Sequence, residues 1–263
     1  MRVRRRPSLR LLAAGALLPL VLCGLAACQG DNQADPSSSS ASSSPSGPFT
    51  AKTLVPALKS AVRDKPSAHV RMALTGNGQT LMAEGDIRFT KDPAMSMTMS
   101  GPMLGTGAAE MRVLDGFVYI SIPSLTPAGK FMKLDANDPN GPMGSGIGDL
   151  AKQLDPTSAF DAFAAGLQKV DYVGKETVSG EELSHYRLTV DSKAVAKDEG
   201  HPLPPNVPKT LHYDLWLDGQ NLMRKLEFTL GKQASVTMTT SRWGEPVTVK
   251  APPKNAIMGT PAA

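Results

Sequence analysis

From Val70 to Thr240 the chain keeps returning to a period of two, and this alternation constrains the fold more than any other feature. Val70, Met72 and Leu74 alternate with Arg71 and Ala73, and Leu81, Ala83, Ile87 and Phe89 alternate with Met82, Glu84, Asp86 and Arg88. Met95, Met97 and Met99 are separated by Ser96 and Thr98. The same pattern runs through Met111 and Val113, then Val118, Ile120 and Ile122, and a short piece from Phe131 to Leu134. It resumes over Val170 to Val178, at Tyr186, Leu188 and Val190, and at Leu211, Tyr213, Leu215 and Leu217. Leu222, Leu226, Phe228 and Leu230 follow, then Ala234, Val236 and Met238. Successive side chains of a strand point to opposite faces, so each of these segments has one apolar and one polar face. Turn chemistry at Gly76-Asn77-Gly78, Asp115-Gly116, Ser179-Gly180 and Asp218-Gly219 joins neighbours by tight hairpins.

About ten such strands make a large antiparallel sheet with one face covered and one in water. Only two segments have helical spacing. One starts at Thr53, with apolar residues at Leu54, Val55, Leu58 and Val62. Pro56 lies in its first turn and Thr53 is the expected cap. The other lies between Asp155 and Val170, where Phe160, Phe163, Ala164 and Leu167 share a face. The expected class is therefore α+β. A long twisted sheet curls rather than staying flat, and two helices need not fill its inner face.

The N-terminus fixes where the chain works. Met1 to Arg10 is basic without an acid, and Leu11 to Ala27 is an apolar run too short to span comfortably, which describes an export signal. It ends in Leu25-Ala26-Ala27-Cys28, which resembles the bacterial lipobox. Residues 1–27 are thus expected to be a lipoprotein signal peptide, with the mature chain starting at an acylated Cys28. Two acyl chains hold a protein at a bilayer where one does not. Residues 29–48 are rich in Ser, Pro and Gly and cannot form a core, so 28–48 is expected to be a tether spanning on the order of 25 Å. Residues 49–263 form the folded domain, at the extracytoplasmic face of the plasma membrane.

Charge excludes a nucleic-acid partner. The chain has 28 Lys and Arg, but Arg2, Arg4, Arg5, Arg6 and Arg10 lie in the signal, leaving 23 bases against 24 acids. The basic footprint of a nucleic-acid binder is missing. Of the two cysteines, Cys23 leaves with the signal and Cys28 carries the anchor, so no thiol remains for a disulfide, a metal or a nucleophile.

The stretch VGKETVSGEELSHYRLTVD (Val173 to Asp191) pairs two strands across Ser179-Gly180. It is followed by a short helical piece, a proline-rich connection and LHYDLWLDGQNLMRKLEF (Leu211 to Phe228), with Trp216, Leu217 and Asp218 at the hairpin. Together with the lipobox, tether and opening helix, this order resembles the LppX/LprG lipoproteins of actinobacteria, whose fold is similar to that of the LolA carrier. The resemblance covers nearly all of the mature chain. It implies a curled antiparallel half-barrel with helices over its concave face, enclosing a pocket for the acyl chains of a lipid or glycolipid carried or presented across the cell envelope. The expected partners are that lipid, the plasma membrane through the anchor, and a lipid transporter.

On the resemblance, the apolar parity lines the pocket. In the first half of the chain this assigns Val70, Met72, Leu74, Ile87, Phe89, Met95, Met97, Met99, Val113, Val118 and Ile120. In the second it assigns Leu215, Leu226, Phe228, Val236 and Met238. Methionines in the strands, including Met111 and Met132, suit a surface that accepts varied apolar ligands. From the residues alone an ordinary core is the commoner reading of such a stripe, and it is the resemblance that favours a pocket; an envelope interaction or sensor module with a solid core is the alternative. Asp135 to Asp149 (DANDPNGPMGSGIGD) fails as a calcium loop because Pro139 and Asn140 stand where ligand and glycine are needed, leaving a plain connection or a flap. Gly-x-Ser-x-Gly, Ser-x-x-Lys and His-Glu-x-x-His do not occur, so no enzyme, cofactor or metal is expected. His69, His185 and His212 fall on the polar parity, which predicts solvated histidines, and Trp216 shares it under a loop or at a partner contact.

Overall fold

The computed structural model describes residues 48–136, 138, 156–200, 202–204, 207–231 and 234–258. Cys28, the tether and most of the Asp135 to Asp149 segment lie outside them. The order is α1 (Leu54–Asp64), β1 (Ser67–Gly76), β2 (Gln79–Arg88), β3 (Ala94–Ser100), β4 (Ala109–Leu114), β5 (Phe117–Ser121) and β6 (Met132–Asp135), then α2 (Pro156–Gly166), β7 (Leu167–Val178), β8 (Glu181–Asp191), α3 (Ser192–Asp198), β9 (Thr210–Leu217), β10 (Met223–Leu230) and β11 (Ala234–Ser241). All eleven strands join one sheet, in the order β6-β5-β4-β3-β2-β1-β11-β10-β9-β8-β7. Every pairing is antiparallel, and the sheet does not close on itself.

The register turns the sequence alternation into a continuous surface. Across the sheet, Tyr186 faces Leu215, Leu215 faces Leu226, Leu226 faces Met238, Met238 faces Met72, Met72 faces Ala83 and Ala83 faces Met99. A neighbouring row runs from Val70 through Gly85, Met97, Met111 and Ile120 to Met132. Slipping any strand by one residue would turn its apolar set into water, so the burial pattern itself pins the register. The tight turns supply the backbone this needs, with Asn77 and Gly78 at φ 50° and 74° as a twisted hairpin requires.

Gly85 permits a close approach of two strands. A side chain there would place its Cβ 1.9 Å from the carbonyl oxygen of Ser96 and 2.8 Å from the Cα of Met97, both backbone atoms of β3. Only a glycine lets β2 and β3 approach this closely in mid-strand.

The helices lie on the concave side. α1 buries Leu54, Val55, Leu58, Ala61 and Val62, and its apolar stripe shares one core with Val70, Ile87, Leu188, Leu215 and Phe228 of the sheet. Thr53 stands at the cap position, yet its hydroxyl accepts from the Thr50 N–H and not from the first turn of the helix. α2 ends one residue sooner than its sequence pattern suggests. Phe160, Ala162 and Phe163 are buried, Ala164 is exposed, and Leu167 opens β7. Gly166 closes that helix against α3, where an added Cβ would lie 2.4 Å from Val195 Cγ2. α3 is capped by Asp191, whose carboxylate accepts from the Lys193 and Ala194 N–H groups.

Beyond β11 the chain forms a strap over the outer face. Trp243 Nε1 donates to the Met223 carbonyl at 2.9 Å, and Ser67 Oγ donates to the Glu245 carbonyl at 2.6 Å. Arg112 and Lys130 donate to the carbonyls of Lys250 and Asn255. Val249, Ala256 and Ile257 then complete a second apolar cluster with Ala94, Leu114, Tyr119 and Phe131. Ile257 pairs in parallel with Phe131, which occupies backbone groups next to the edge strand β6. At the opposite edge, β7 carries a bulge at Tyr172/Gly174 and the charges Lys169, Asp171 and Lys175, features that discourage pairing with another chain.

Candidate functional site

The concave face divides into two halves of different character. Over β8, β9 and β10 it is filled by rings. Phe163 of α2 meets Tyr213 edge-on at 6.0 Å, Tyr213 lies 4.7 Å from Phe228, and Phe49 packs on Tyr186 at 5.6 Å. Tyr213 is 1% exposed, and burial pushes its hydroxyl well above the usual tyrosine range. Leu188, Leu215 and Leu226 are equally sealed. This half is a close-packed interior.

Over β1 to β6 the face is aliphatic and thioether apart from Phe89 at its closed end, with no charged residue at any inward position from Val70 to Leu134. Its end beside the α1–β1 junction is closed, with Ala68, Val70, Ile87, Phe89 and Val118 all buried. Toward the connections β1–β2, β3–β4 and β5–β6 it opens. There Met72, Leu74, Met99, Met111, Ile122 and Met132 border the core and are only partly buried. Flexible, polarizable thioethers on an open apolar wall can conform to apolar surfaces of varied shape.

Every residue assigned to the pocket from the sequence lies on this one face, but the residues do not play one part. Val113, Ile120, Met95 and Met97 line the closed portion, and Leu215, Leu226, Phe228, Val236 and Met238 belong to the packed interior. Met72, Leu74 and Met99 reach the open portion, where Met111, Met132, Leu81 and Ile122 join them. The same parity stripes contain those four residues, so a wider reading of the alternation finds them.

The outer face is polar and paired. His69 lies between Asp86 and Glu84 at 2.9 and 3.0 Å, with Arg71 on Glu84 and Arg242 on Asp86. Hydrogen bonds from Arg71 and His69 hold the Glu84 carboxyl below the usual carboxylate range. His69, Arg71, Glu84 and Asp86 of this cluster, with Ser96, Thr98 and Ser100, line a shallow groove of about 390 Å³. His212 is exposed as its parity predicts and His69 is half-buried, but His185, at 5% exposure, is not solvated and corrects the sequence reading; Trp216, at 6%, is buried among its neighbours on the sheet. Their rings stack at 4.3 Å, His185 bridges Glu176 and Asp214 at 2.8 Å each, and Trp216 Nε1 donates to Glu176. Lys225 covers the other side of the indole at 4.4 Å. Four strands, β7 to β10, are thereby linked on a nominally wet face, and the bonds from Trp216 and His185 hold the Glu176 carboxyl below its ordinary range. Among the described residues no group of three or more His, Cys, Asp or Glu is placed to hold a metal, and no helix is long and apolar enough to cross a membrane.

An open, curled antiparallel sheet with helices on its concave side and a partly uncovered apolar wall defines the class as a half-barrel. Residues 50–249 match the LppX_LprAFG lipoprotein family, and the chain belongs to it. It is 26% identical to lipoprotein LprA of Mycobacterium tuberculosis over 258 residues, covering 94% of this chain and 99% of that one. It is also 26% identical over 225 residues to the lipoarabinomannan carrier protein LprG of the same species, covering 82% and 88%. The crystal structure of M. tuberculosis LppX superposes with a TM-score of 0.53 at 18% identity, over 76% of this chain and 98% of that one. LprF of M. bovis gives 0.51 at 18% identity over 77% and 96%. These likenesses carry the fold.

Proposed function

We propose that this lipoprotein binds the acyl chains of a lipid or glycolipid against the methionine-lined half of its concave face and carries or presents that lipid at the extracytoplasmic side of the plasma membrane, held there through Cys28. The observation that carries the reading is the uncharged wall of Met72, Leu74, Met99, Met111 and Met132, contiguous across β1 to β6 and left partly open at the border of the buried core. Sheltering hydrocarbon there removes a cost of about 0.8 kcal/mol per CH₂ in water. No bond need be made or broken. A relative named as a lipoarabinomannan carrier supports a glycolipid cargo, and a transporter that loads or unloads the lipid completes the expected set of partners.

Titrating the non-acylated chain 29–263 with a fluorescent fatty-acyl probe tests this. Saturable binding displaced by palmitate is expected. Absence of saturable binding would leave a solid-core envelope module as the better account.

A further inference from the structure

The open half of the concave face ends in three connections, 76–79, 101–108 and 122–131, and of all their residues only Lys130 is charged. Connections at the opposite end of the same strands carry Asp64, Lys65, Lys91, Asp92 and Asp115. The uncharged rim also projects an apolar side chain. Leu125, in the β5–β6 connection, is 63% exposed, the highest value among the exposed large hydrophobic residues that are described.

Its exposure is built into the loop. Thr126, 6% exposed, turns inward, where its hydroxyl donates to the Ile122 carbonyl at 3.0 Å, accepts from the Ile122 N–H at 3.1 Å and meets Ser121 Oγ at 3.2 Å. The Leu125 and Thr126 N–H groups both donate to the Ile122 carbonyl. With Thr126 fixed inside, Leu125 must point out. The neighbouring loop braces it, since a Cβ on Gly107 would lie 2.6 Å from the Pro123 ring. Ile122 and Met132, at the two ends of the connection, belong to the open apolar wall.

We propose that this rim is a lipid-surface docking face, with Leu125 inserted at the bilayer interface so that acyl chains pass between membrane and concave wall without crossing water. The inference rests on the acyl-binding reading above. Burying charge at a bilayer is costly, and a rim without acids that carries one lysine avoids that cost while favouring anionic headgroups. The tether allows the approach: described structure begins at Pro48, 20 positions beyond Cys28, a reach on the order of 25 Å.

The test uses the non-acylated chain 29–263, whose core starts at Phe49. Vesicle flotation on phosphatidylcholine, alone or mixed with phosphatidylglycerol, is measured for the wild type, for Leu125→Asp and for Val173→Asp, an exposed apolar control on the remote edge strand. Leu125→Asp is expected to lower the vesicle-bound fraction and the rate of probe extraction from vesicles about tenfold. It should leave the affinity for a monomeric acyl probe and the melting temperature unchanged, and Val173→Asp should change none of these. Unaltered vesicle binding in Leu125→Asp overturns the proposal. So does equal loss of monomeric-probe binding, which would make Leu125 part of the cavity wall, and so does loss of a concentration-dependent dimer, which would make the rim a self-association surface. If the wild type binds no monomeric probe at all, it is the acyl-binding reading that fails, whatever the vesicles show.

Discussion

Gly85→Ala is expected to destabilise the domain by about 3 kcal/mol, a large effect for one added methyl group. The new Cβ would fall 1.9 Å from the Ser96 carbonyl oxygen and 2.7 Å from Met97 Sδ. The sulfur can swing away. The carbonyl cannot, because it belongs to the backbone of β3, paired to β2 from Ala94 to Ser100. Relief therefore requires the two strands to part or the sheet to flatten, and either change disturbs the wall on which Met97 and Met99 sit. Urea denaturation followed by tryptophan fluorescence gives the difference. Gly219→Ala is the control, since nothing lies within 4 Å of its added carbon, and a shift within about 0.5 kcal/mol is expected there.

Met111→Trp is the second large effect, read in ligand affinity and not in stability. Met111 lies between Met97 and Ile120 in the row that ends at Met132, on the partly open wall. An indole there has room to extend over the wall, with its N–H toward the wet mouth. Stability should change by less than about 1 kcal/mol, whereas acyl-probe affinity should fall at least about tenfold as the ring takes the space of the chain. Val236→Phe makes the contrast. Val236 is 2% exposed and faces Phe228 across β10 and β11, so the added atoms have no space and the expected cost is about 1–3 kcal/mol. If both substitutions behaved alike, the division into an open and a packed half would be wrong.

That division was the part of the site least legible in the sequence. Alternation assigns Met99 and Leu215 to the same face because a strand has no other choice, but it says nothing of where a helix will land. α2 brings Phe163 onto Tyr213 and leaves Met99 and Met111 partly uncovered, and that is a tertiary outcome. Parity misleads for His185 for a related reason. It gives the side of the sheet, and stacking on Trp216 buries the imidazole on that side. Leu167 was read with the helix because α2 passes into β7 without a turn to separate the two periods. The C-terminal strap left no trace at all. Its anchors are main-chain carbonyls at Val247, Lys250 and Asn255, held by Arg88, Arg112 and Lys130, and a side-chain pattern cannot show them. By contrast, turns such as Asn77-Gly78 and Ser179-Gly180 were readable to the residue, because positive φ selects those residue types.

Native mass spectrometry of the non-acylated chain 29–263, secreted from an actinobacterial host behind a substituted cleavable signal peptide and purified without detergent, tests the central claim most directly. Acyl binding at the methionine-lined wall predicts a second charge-state series, heavier by the mass of one lipid. Collisional activation should release that lipid as an acylated species, and Met111→Trp should abolish the series. A single unliganded series from the wild type, unchanged after incubation with lipid extract, would contradict it.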